Sequence, residues 1–290
     1  MNVELVVDAR AELGEGPVWE PRLDCLFWVD IEGGKLHGYQ ERGEADRVWD
    51  VGCKVGAAVP REAGGMILAT ADGFELFDLE TSRKTPVADP ERDLPDNRFN
   101  DGKCDSEGRF WAGTMSMTRQ RGAASLYVLQ TDRVVKKVFG GVTTSNGLDW
   151  SPDQSSMYYI DTPTMNVRKF DFDNMSGAIA NERVVVRFPD GVGRPDGMTV
   201  DAEGMLWIAH WDGGRVSRWD PHAGKLLDTV SLPVDRVTSC AFGGSDLQIL
   251  FITTARHGLD ETALLEQPHA GSLFAVRPGV GGRIANRYAG

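Results

Sequence analysis

Four side chains that carry an oxygen each precede a glycine, and each pair introduces a short apolar run. They are Glu15 in GEGPVW, Asp101 in FNDGKCD, Asn146 in SNGLDWS and Asp196 in PDGMTVD. A single Asp-Gly or Asn-Gly pair is usually a turn. Carboxylate and amide oxygens are also the ligands that hard divalent cations prefer, and a carboxylate can take a proton from water. Such chemistry requires a fold that brings these residues together.

The apolar runs recur along the chain as six similar units. Their central residues are Trp28, Leu68, Trp111, Tyr159, Trp207 and Phe251. The steps between these residues are 40, 43, 48, 48 and 44 positions. Turn-forming segments such as DSEGR (105–109) and DAEGM (201–205) precede the runs, and further strand-like runs lie on either side. The pattern indicates four strands per unit, with almost no helical period.

Six repeats of four strands predict an all-β fold, a six-bladed β-propeller with four antiparallel strands per blade. The N-terminal run VELVVDA (3–9) precedes the first unit. We therefore expect it to complete the last blade and close the ring. No linker or shift in composition divides the chain, so we predict one domain over residues 1–290.

The four candidate residues share one phase of the repeat, at the start of the first strand of units one, three, four and five. Units two and six have Val55 and Thr238 there. In a propeller the first strands line the central channel, so the four side chains should converge near one mouth. Three carboxylates that close repel each other unless a cation compensates them or one of them is protonated, and a bound metal is the simplest resolution. With oxygen donors alone, we predict one divalent metal ion, favouring Ca²⁺, Mg²⁺ or Mn²⁺ and leaving Fe²⁺ and Zn²⁺ open.

The composition narrows the classes of function that the protein could have. Asp and Glu number 43 against 31 Lys and Arg, for a net charge of −12. This balance argues against a nucleic-acid or anionic-membrane surface, and no run approaches the roughly 20 apolar residues of a membrane span. The start MNVELVVDAR has neither the basic end nor the apolar block of a signal peptide. The four cysteines form no CxxC pair, so we expect a cytoplasmic protein without disulfides.

The sequence resembles the SMP-30/gluconolactonase/regucalcin-like family, and the resemblance covers nearly the whole chain. The stretches that carry it are GEGPVWE (14–20), LFWVDI (26–31), NRFNDGKCD (97–105), FWAGTM (110–115), SNGLDWS (145–151), RPDGMTVD (194–201), LWIAHWDGGRVSRWD (206–220) and FITTARHGLD (251–260). The family fold is a six-bladed propeller, which agrees with the repeat count. Together these stretches are specific, although any one alone would not be.

The resemblance implies a sugar lactonase with a single catalytic divalent metal. It implies Glu15, Asn146 and Asp196 as the metal ligands, with Asp101 close to the waters of the metal. Either Asp196 or Asp101 would be the general base toward a water. Arg98 and Asn100 of the same RFND motif would bind ring hydroxyls or the carbonyl, since both donate hydrogen bonds. The alternative for Arg98 is a salt bridge to a neighbouring carboxylate.

The loops from second to third strand should return to the metal mouth and border the substrate. They are TMSMTRQRGAAS (114–125), DTPTMN (161–166), HWDGG (210–214) and TARHGLDETALLEQPHAG (254–271). Some relatives carry an acidic residue in the first loop, where this chain has Arg119 and Arg121, which suggests a different or more anionic ligand. We predict substrate contacts from His210 and Trp211, the latter as a wall. The alternative for His210 is a packed or solvated histidine.

These observations predict metal-dependent hydrolysis of an aldonolactone, of the gluconolactone, xylonolactone or arabinolactone type, to the aldonic acid. One alternative is a lactonase or organophosphate hydrolase of a related propeller type. Another is a non-enzymatic protein, either a calcium-binding regulator or an interaction scaffold. The expected partner is a small-molecule lactone, without nucleic acid or membrane. A monomer or weak dimer is expected, and the sequence leaves this choice open.

Overall fold

A computed structural model describes residues 2–43 and 45–290 of the chain, and Met1 and Glu44 lie outside the described residues. Within the described part, 24 strands form six sheets of four strands each. Every strand pairs antiparallel with its neighbours in the sheet. The predicted six-bladed β-propeller is therefore confirmed.

The strands are numbered in chain order, and those of blades one to five run outward from the channel. Strand β1 (Glu4–Val7) precedes blade one, which contains β2 (Gly14–Glu20), β3 (Cys25–Asp30), β4 (Lys35–Gln40) and β5 (Ala45–Asp50). Blade two contains β6 (Val55–Pro60), β7 (Met66–Thr70), β8 (Gly73–Phe77) and β9 (Lys84–Ala88); blade three contains β10 (Asn97–Cys104), β11 (Phe110–Ser116), β12 (Ala124–Leu129) and β13 (Val135–Val142). Blade four contains β14 (Ser145–Trp150), β15 (Ser156–Asp161), β16 (Asn166–Asp173) and β17 (Ala178–Arg187); blade five contains β18 (Arg194–Val200), β19 (Leu206–Trp211), β20 (Arg215–Asp220) and β21 (Lys225–Ser231). Blade six contains β22 (Val237–Gly243), β23 (Ile249–Thr254) and β24 (Leu273–Val276).

The N-terminal strand closes the ring, as the sequence predicts. Strand β1 pairs with β24 and so becomes the outermost strand of blade six, with Leu5 opposite Phe274. The innermost strand of each blade contacts the innermost strands of both neighbouring blades. These six strands surround the central channel, and residues near their starts share one mouth.

The hydrophobic core lies in sectors between neighbouring blades. One sector, for example, packs Trp111 of blade three against Trp150 and Tyr159 of blade four. The repeated sequence DxEGxxW explains part of this packing. Asp105 accepts hydrogen bonds from the Arg109 amide at 3.0 Å and from Trp111 Nε1 at 2.7 Å, so one carboxylate holds both the hairpin turn and the buried indole. Asp201 does the same for Trp207 in blade five.

Two features were not predicted from the repeats. The long loop of blade six contains a short helix, α1 (Glu261–Glu266), where the sequence predicted only loop. Asp260 begins this helix by accepting a hydrogen bond from the Ala263 amide at 2.9 Å. The segment 277–290 crosses the far end of the propeller, where Tyr288 is buried and donates from its hydroxyl to the Gln130 carbonyl.

No helix in the described part of the chain is long and apolar enough to span a membrane.

Candidate metal and substrate site

The first strands are irregular where the candidate residues lie. Their pairing with the second strand shifts between Glu15 and Val18, Phe99 and Asp101, Asn146 and Leu148, and Pro195 and Met198. A β-bulge leaves a residue unpaired and re-aims its side chain. The glycines provide room for this bend. A Cβ on Gly147 would lie 2.8 Å from the Asp196 carbonyl oxygen in the next blade, so a larger residue would collide there.

The three predicted carboxylates form a buried acidic group. Glu15, Asp101 and Asp196 are 4%, 7% and 6% exposed. Burial raises the pKa of Glu15 well above its usual value, and the charges of Asp196 and Asp101 raise it further. Burial and the charge of Asp101 likewise raise the pKa of Asp196, against the opposing effects of Arg194, Arg98 and a hydrogen bond from Asn146. The structure thus brings the acids together, as the repeat phase predicts, and their charges are incompletely compensated by protein groups.

Asn146 joins this group through a chain of hydrogen bonds. Arg98 donates from one terminal nitrogen to Asn100 Oδ1 at 2.8 Å. Asn100 Nδ2 donates to the Ser145 carbonyl at 2.8 Å and to Asn146 Oδ1 at 3.2 Å. The RFND motif of blade three therefore contacts the SNG motif of blade four directly. All three predicted residues of this chain are buried.

Arg98 connects the acidic group to the rim of blades one and two. Its other terminal nitrogen lies 3.9 Å from Glu32 Oε1, and Glu32 Oε2 lies 2.6 Å from Lys54 Nζ. Burial lowers the pKa of Arg98, while the charges of Glu32, Glu15 and Asp196 oppose this shift. The Nε atom of Arg98 is buried without a hydrogen-bond partner among the described residues. The salt-bridge alternative for Arg98 is therefore present, and it leaves one donor free.

The channel continues below the acids and is closed at its far end. Asp101, Lys103 and Asp149 line a partly enclosed cavity of about 90 Å³, whose other end is lined by Arg283 of the C-terminal segment. Lys103 Nζ lies 2.9 Å from Asp149 Oδ2. Ligand pockets are commonly 300 Å³ or more, so this cavity is too small for a sugar lactone. A substrate would reach the acids from the opposite mouth, where the loops from second to third strand lie.

Of the residues predicted to lie in loops, His210 and Trp211 instead end strand β19, because the strand runs two residues further than predicted, whereas Arg119 and Arg121 lie in a loop. His210 is buried, with Nε2 2.6 Å from Ser217 Oγ and its ring against Phe188, and burial lowers its pKa to about 4. Trp211 is half-buried, and the Arg236 guanidinium lies 4.9 Å from the centre of its ring. Arg119 and Arg121 are exposed. The surroundings of His210 are those of a packed core histidine, and its predicted substrate contact stays a prediction, as does that of Trp211.

A second cluster of potential ligands lies in blade two. One ligand atom each from Cys53, Asp72 and Glu75 lies within 4.8 Å of the others. The amino group of Lys84 lies 3.0 Å from Glu75 Oε2 and 3.2 Å from Cys53 Sγ. This ammonium offsets the charge of the buried Glu75, and Asp72 is exposed to solvent, so the need for a metal ion here is smaller. Among the described residues no lysine forms an ion pair with Glu15 or Asp196, so the acidic group around Glu15 is the better candidate.

Sequence reasoning did not single out two residues that contact the site. Glu32 lies beside Arg98, and Thr162 accepts a hydrogen bond from Asn146 Nδ2 at 2.8 Å. Thr162 directly follows the second strand of blade four, and Glu32 lies two residues after the second strand of blade one. The sequences of these two loops do not resemble each other. An available signal was the acidic end of LFWVD and MYYID: Asp30 accepts from the Gly33 amide in the loop that contains Glu32, and Asp161 accepts from the Thr144 amide, next to the chain that Thr162 contacts.

Comparison with known proteins identifies the family of this chain. The family described as SMP-30/Gluconolactonase/LRE-like region matches residues 13–256. The chain belongs to this family. A Bacillus subtilis (strain 168) relative named "Putative sugar lactone lactonase YvrE" is 41% identical over 100% of this chain and 99% of its own. Regucalcin of Danio rerio is 44% identical over 95% of this chain and 94% of its own.

Solved structures agree with this placement in the SMP-30/gluconolactonase family. A calcium-binding protein, regucalcin, from Agrobacterium tumefaciens matches with a TM-score of 0.94 and 30% identity, over 98% of this chain and 96% of that one. A gluconolactonase from Xanthomonas campestris matches with a TM-score of 0.77 over 94% of this chain and 88% of that one. At 21% identity, the second likeness concerns the fold alone.

The site of this family member fits a divalent cation. Its donors are three carboxylates and one carboxamide, all buried, and all are hard oxygen ligands. Burial and the neighbouring carboxylates raise the pKa of Glu15 and Asp196, and the charge of Arg98 opposes only part of this shift. A cation with two positive charges would compensate the negative charge that remains. The ligand roles of Glu15, Asn146 and Asp196 stay a prediction.

Proposed function

We propose that this protein hydrolyses a sugar lactone to the aldonic acid in a metal-dependent reaction. The observation that carries the proposal is the buried group of Glu15, Asp101, Asn146 and Asp196 at one end of the channel. The family and the name of a relative, a putative sugar lactone lactonase that is 41% identical, support the reaction class. The particular lactone is proposed only as a five- or six-carbon aldonolactone.

Glu15, Asn146 and Asp196 would hold the cation, with Ca²⁺ favoured by the all-oxygen donors and Zn²⁺, Mn²⁺, Mg²⁺ or Fe²⁺ able to occupy the same group. When bound, a divalent cation supplies Lewis-acid polarisation of the lactone carbonyl. The ring opening also needs a group that takes a proton from water. Burial raises the pKa of Asp101 to about 6, despite the lowering effects of Lys103 and the Gly102 amide. A carboxylate with a pKa near neutrality suits a general base, so Asp101 or Asp196 would accept this proton.

The remaining predicted residues would bind the substrate. The free Nε of Arg98 would donate to a ring hydroxyl or to the carbonyl. Both Nδ2 protons of Asn100 are donated to Ser145 and Asn146, so its proposed contact with the substrate would require one of these bonds to be exchanged. Trp211 and His210 would border the lactone from blade five. Arg119 and Arg121 lie on the loop after β11 and would favour a ligand with negative charge. We place the protein in the cytoplasm, as a single domain and a monomer or weak dimer.

The test is chelation followed by metal add-back, with a panel of five- and six-carbon lactones. We expect chelation to abolish hydrolysis and a divalent metal to restore it. Asp196→Ala should lose both metal binding and turnover. The matched control is Asp228→Asn, an exposed carboxylate on the outer strand of the same blade, which should retain both. An Asp196→Ala variant with full lactonase activity would overturn the proposal.

Calcium binding without catalysis is a second candidate, because the relatives named regucalcin include a protein described as calcium-binding. This alternative predicts tight and selective binding of Ca²⁺ with no hydrolysis of any lactone after metal add-back. Hydrolysis of paraoxon-like esters in preference to the lactones would instead favour the organophosphate hydrolase alternative.

A further inference from the structure

The hydrogen-bond donors and acceptors around Asn146 determine the orientation of its side-chain amide. The Thr162 hydroxyl donates to the Pro195 carbonyl oxygen at 2.8 Å, and a carbonyl can only accept. The same hydroxyl lies 2.8 Å from Asn146 and, with its one proton used, must accept there. The group of Asn146 that faces Thr162 is therefore the Nδ2 donor.

The opposite end of the amide is determined in the same way. Asn100 Oδ1 accepts from Arg98, which has only donors, so Asn100 presents Nδ2 to its other neighbours. That Nδ2 donates to the Ser145 carbonyl and, at 3.2 Å, to Asn146. Asn146 Oδ1 thus accepts one long hydrogen bond and keeps a lone pair for another partner. If the Asn146 amide were flipped, its Nδ2 donor would face the Nδ2 donor of Asn100. Its Oδ1 acceptor would then face the Thr162 hydroxyl, whose one proton is already donated to Pro195.

Thr162 is itself held firmly. It begins a single 3₁₀ turn, Thr162–Thr164, and its amide donates to the Thr144 carbonyl at 3.1 Å. Asp161, the residue before it, accepts from the Thr144 amide at 2.9 Å. The hydroxyl is therefore fixed relative to the chain that enters Asn146, and its bond to Pro195 also ties it to the residue before Asp196.

We propose that Thr162 is a positioning residue that orients the Asn146 amide with Oδ1 available to the cation. It contacts neither the cation nor the substrate, and acts through Asn146. This inference rests on the proposed function for the presence of the cation, whereas the amide orientation belongs to the chain alone. Outer groups that orient metal ligands commonly change metal affinity or activity by about 10-fold to 100-fold when removed.

The first experiment measures Ca²⁺ affinity of the chelated protein by calorimetry. Thr162→Val keeps the shape and removes the hydroxyl, so we expect affinity to fall by about tenfold or more. The matched control Thr162→Ser keeps the hydroxyl and should stay close to the wild type. Equal affinity of all three proteins would overturn the inference.

A double-mutant cycle separates amide orientation from the tether to Pro195. In Asn146→Asp both ends of the side chain are oxygens, so orientation no longer matters. Thr162→Val should then weaken Ca²⁺ binding much less than it does in the wild-type background. An undiminished effect would mean that the hydroxyl acts through Pro195 and would overturn the orienting role.

A metal-free measurement keeps the inference testable if the protein binds no divalent cation. The side-chain amide signals of Asn146 in a ¹H–¹⁵N spectrum, assigned by their loss in Asn146→Asp, should shift in Thr162→Val and stay in Thr162→Ser. Unshifted signals in Thr162→Val would overturn the inference. Shifted signals in a protein without metal binding or lactonase activity would leave the inference standing and remove the proposed function.

Discussion

Asp30 and Asp161 occupy the same position in blades one and four, at the end of the second strand. Asp30 accepts hydrogen bonds from the amides of Glu12 at 3.0 Å and Leu13 at 2.9 Å, just before Glu15. Asp161 accepts from the amides of Thr143 and Thr144, just before Asn146. Blades one and four lie opposite each other in a six-bladed ring. The two carboxylates therefore fix the chain that enters the site on opposite sides.

Asp161→Ala should destabilise the protein and weaken its cation site together. It leaves two partly buried amides without their acceptor, and we expect a loss of about 1–3 kcal/mol in the free energy of unfolding. Urea denaturation measures this, and calorimetry with Ca²⁺ measures the site. Asp153→Ala, in the hairpin turn at the other end of blade four, should leave Ca²⁺ affinity unchanged. A fully stable Asp161→Ala variant would contradict this account.

The sequence was sufficient to predict the architecture because similar strand and turn motifs recur in each blade. The apolar runs, the DxEGxxW turns and the closing N-terminal strand all depend on contacts within one blade or between equivalent strands. The grouping of Glu15, Asp101, Asn146 and Asp196 followed from the same repeat, since equivalent positions of first strands meet in the channel.

The connections between blades could not be predicted in this way. Glu32 reaches Arg98, and Thr162 reaches Asn146 and Pro195, from loops whose sequences have no period. The C-terminal segment lies outside the repeats, so nothing in its sequence indicated that it closes the channel. His210 shows a further limit, because the sequence left open a substrate contact or a packed histidine, and the fold was needed to show its side chain buried against Phe188.

Arg98→Met should separate substrate binding from cation binding. The loss of a charged hydrogen-bond donor should lower kcat/KM for the lactone by about 10-fold to 100-fold. The positive charge of Arg98 lowers the pKa of Glu15 and of Asp196. Its removal therefore makes the electrostatic potential at the acidic group more negative. Ca²⁺ affinity should therefore be maintained or increased. Steady-state kinetics and calorimetry on the same preparation test both effects, and a parallel loss of both would indicate a structural role alone.

The C-terminal segment should contribute to stability through Arg287. Its guanidinium makes two hydrogen bonds to the buried carboxylate of Glu20, at 2.5 and 2.6 Å. Arg287→Ala leaves that charge without its partner, and we expect a loss of about 3 kcal/mol. Arg277→Ala is the control, since its pair with Asp246 is exposed and should be worth less than about 1 kcal/mol. Thermal or urea unfolding of both variants would contradict this account if the two losses were equal.

In the metal-free protein, the contribution of Asp101 to the free energy of unfolding should decrease as the pH rises. The pKa of this carboxyl is raised from 3.8 to about 6 in the folded chain, chiefly by burial. Between these values the folded state binds more protons than the unfolded state, so the free energy of unfolding falls with increasing pH. The shift of about two units corresponds to a contribution on the order of 3 kcal/mol, present below pH 4 and lost above pH 6. Asp101→Asn has no such titration. In excess chelator, urea denaturation should therefore show the variant gaining stability relative to the wild type from pH 4 to pH 7, and a constant difference would contradict the raised pKa.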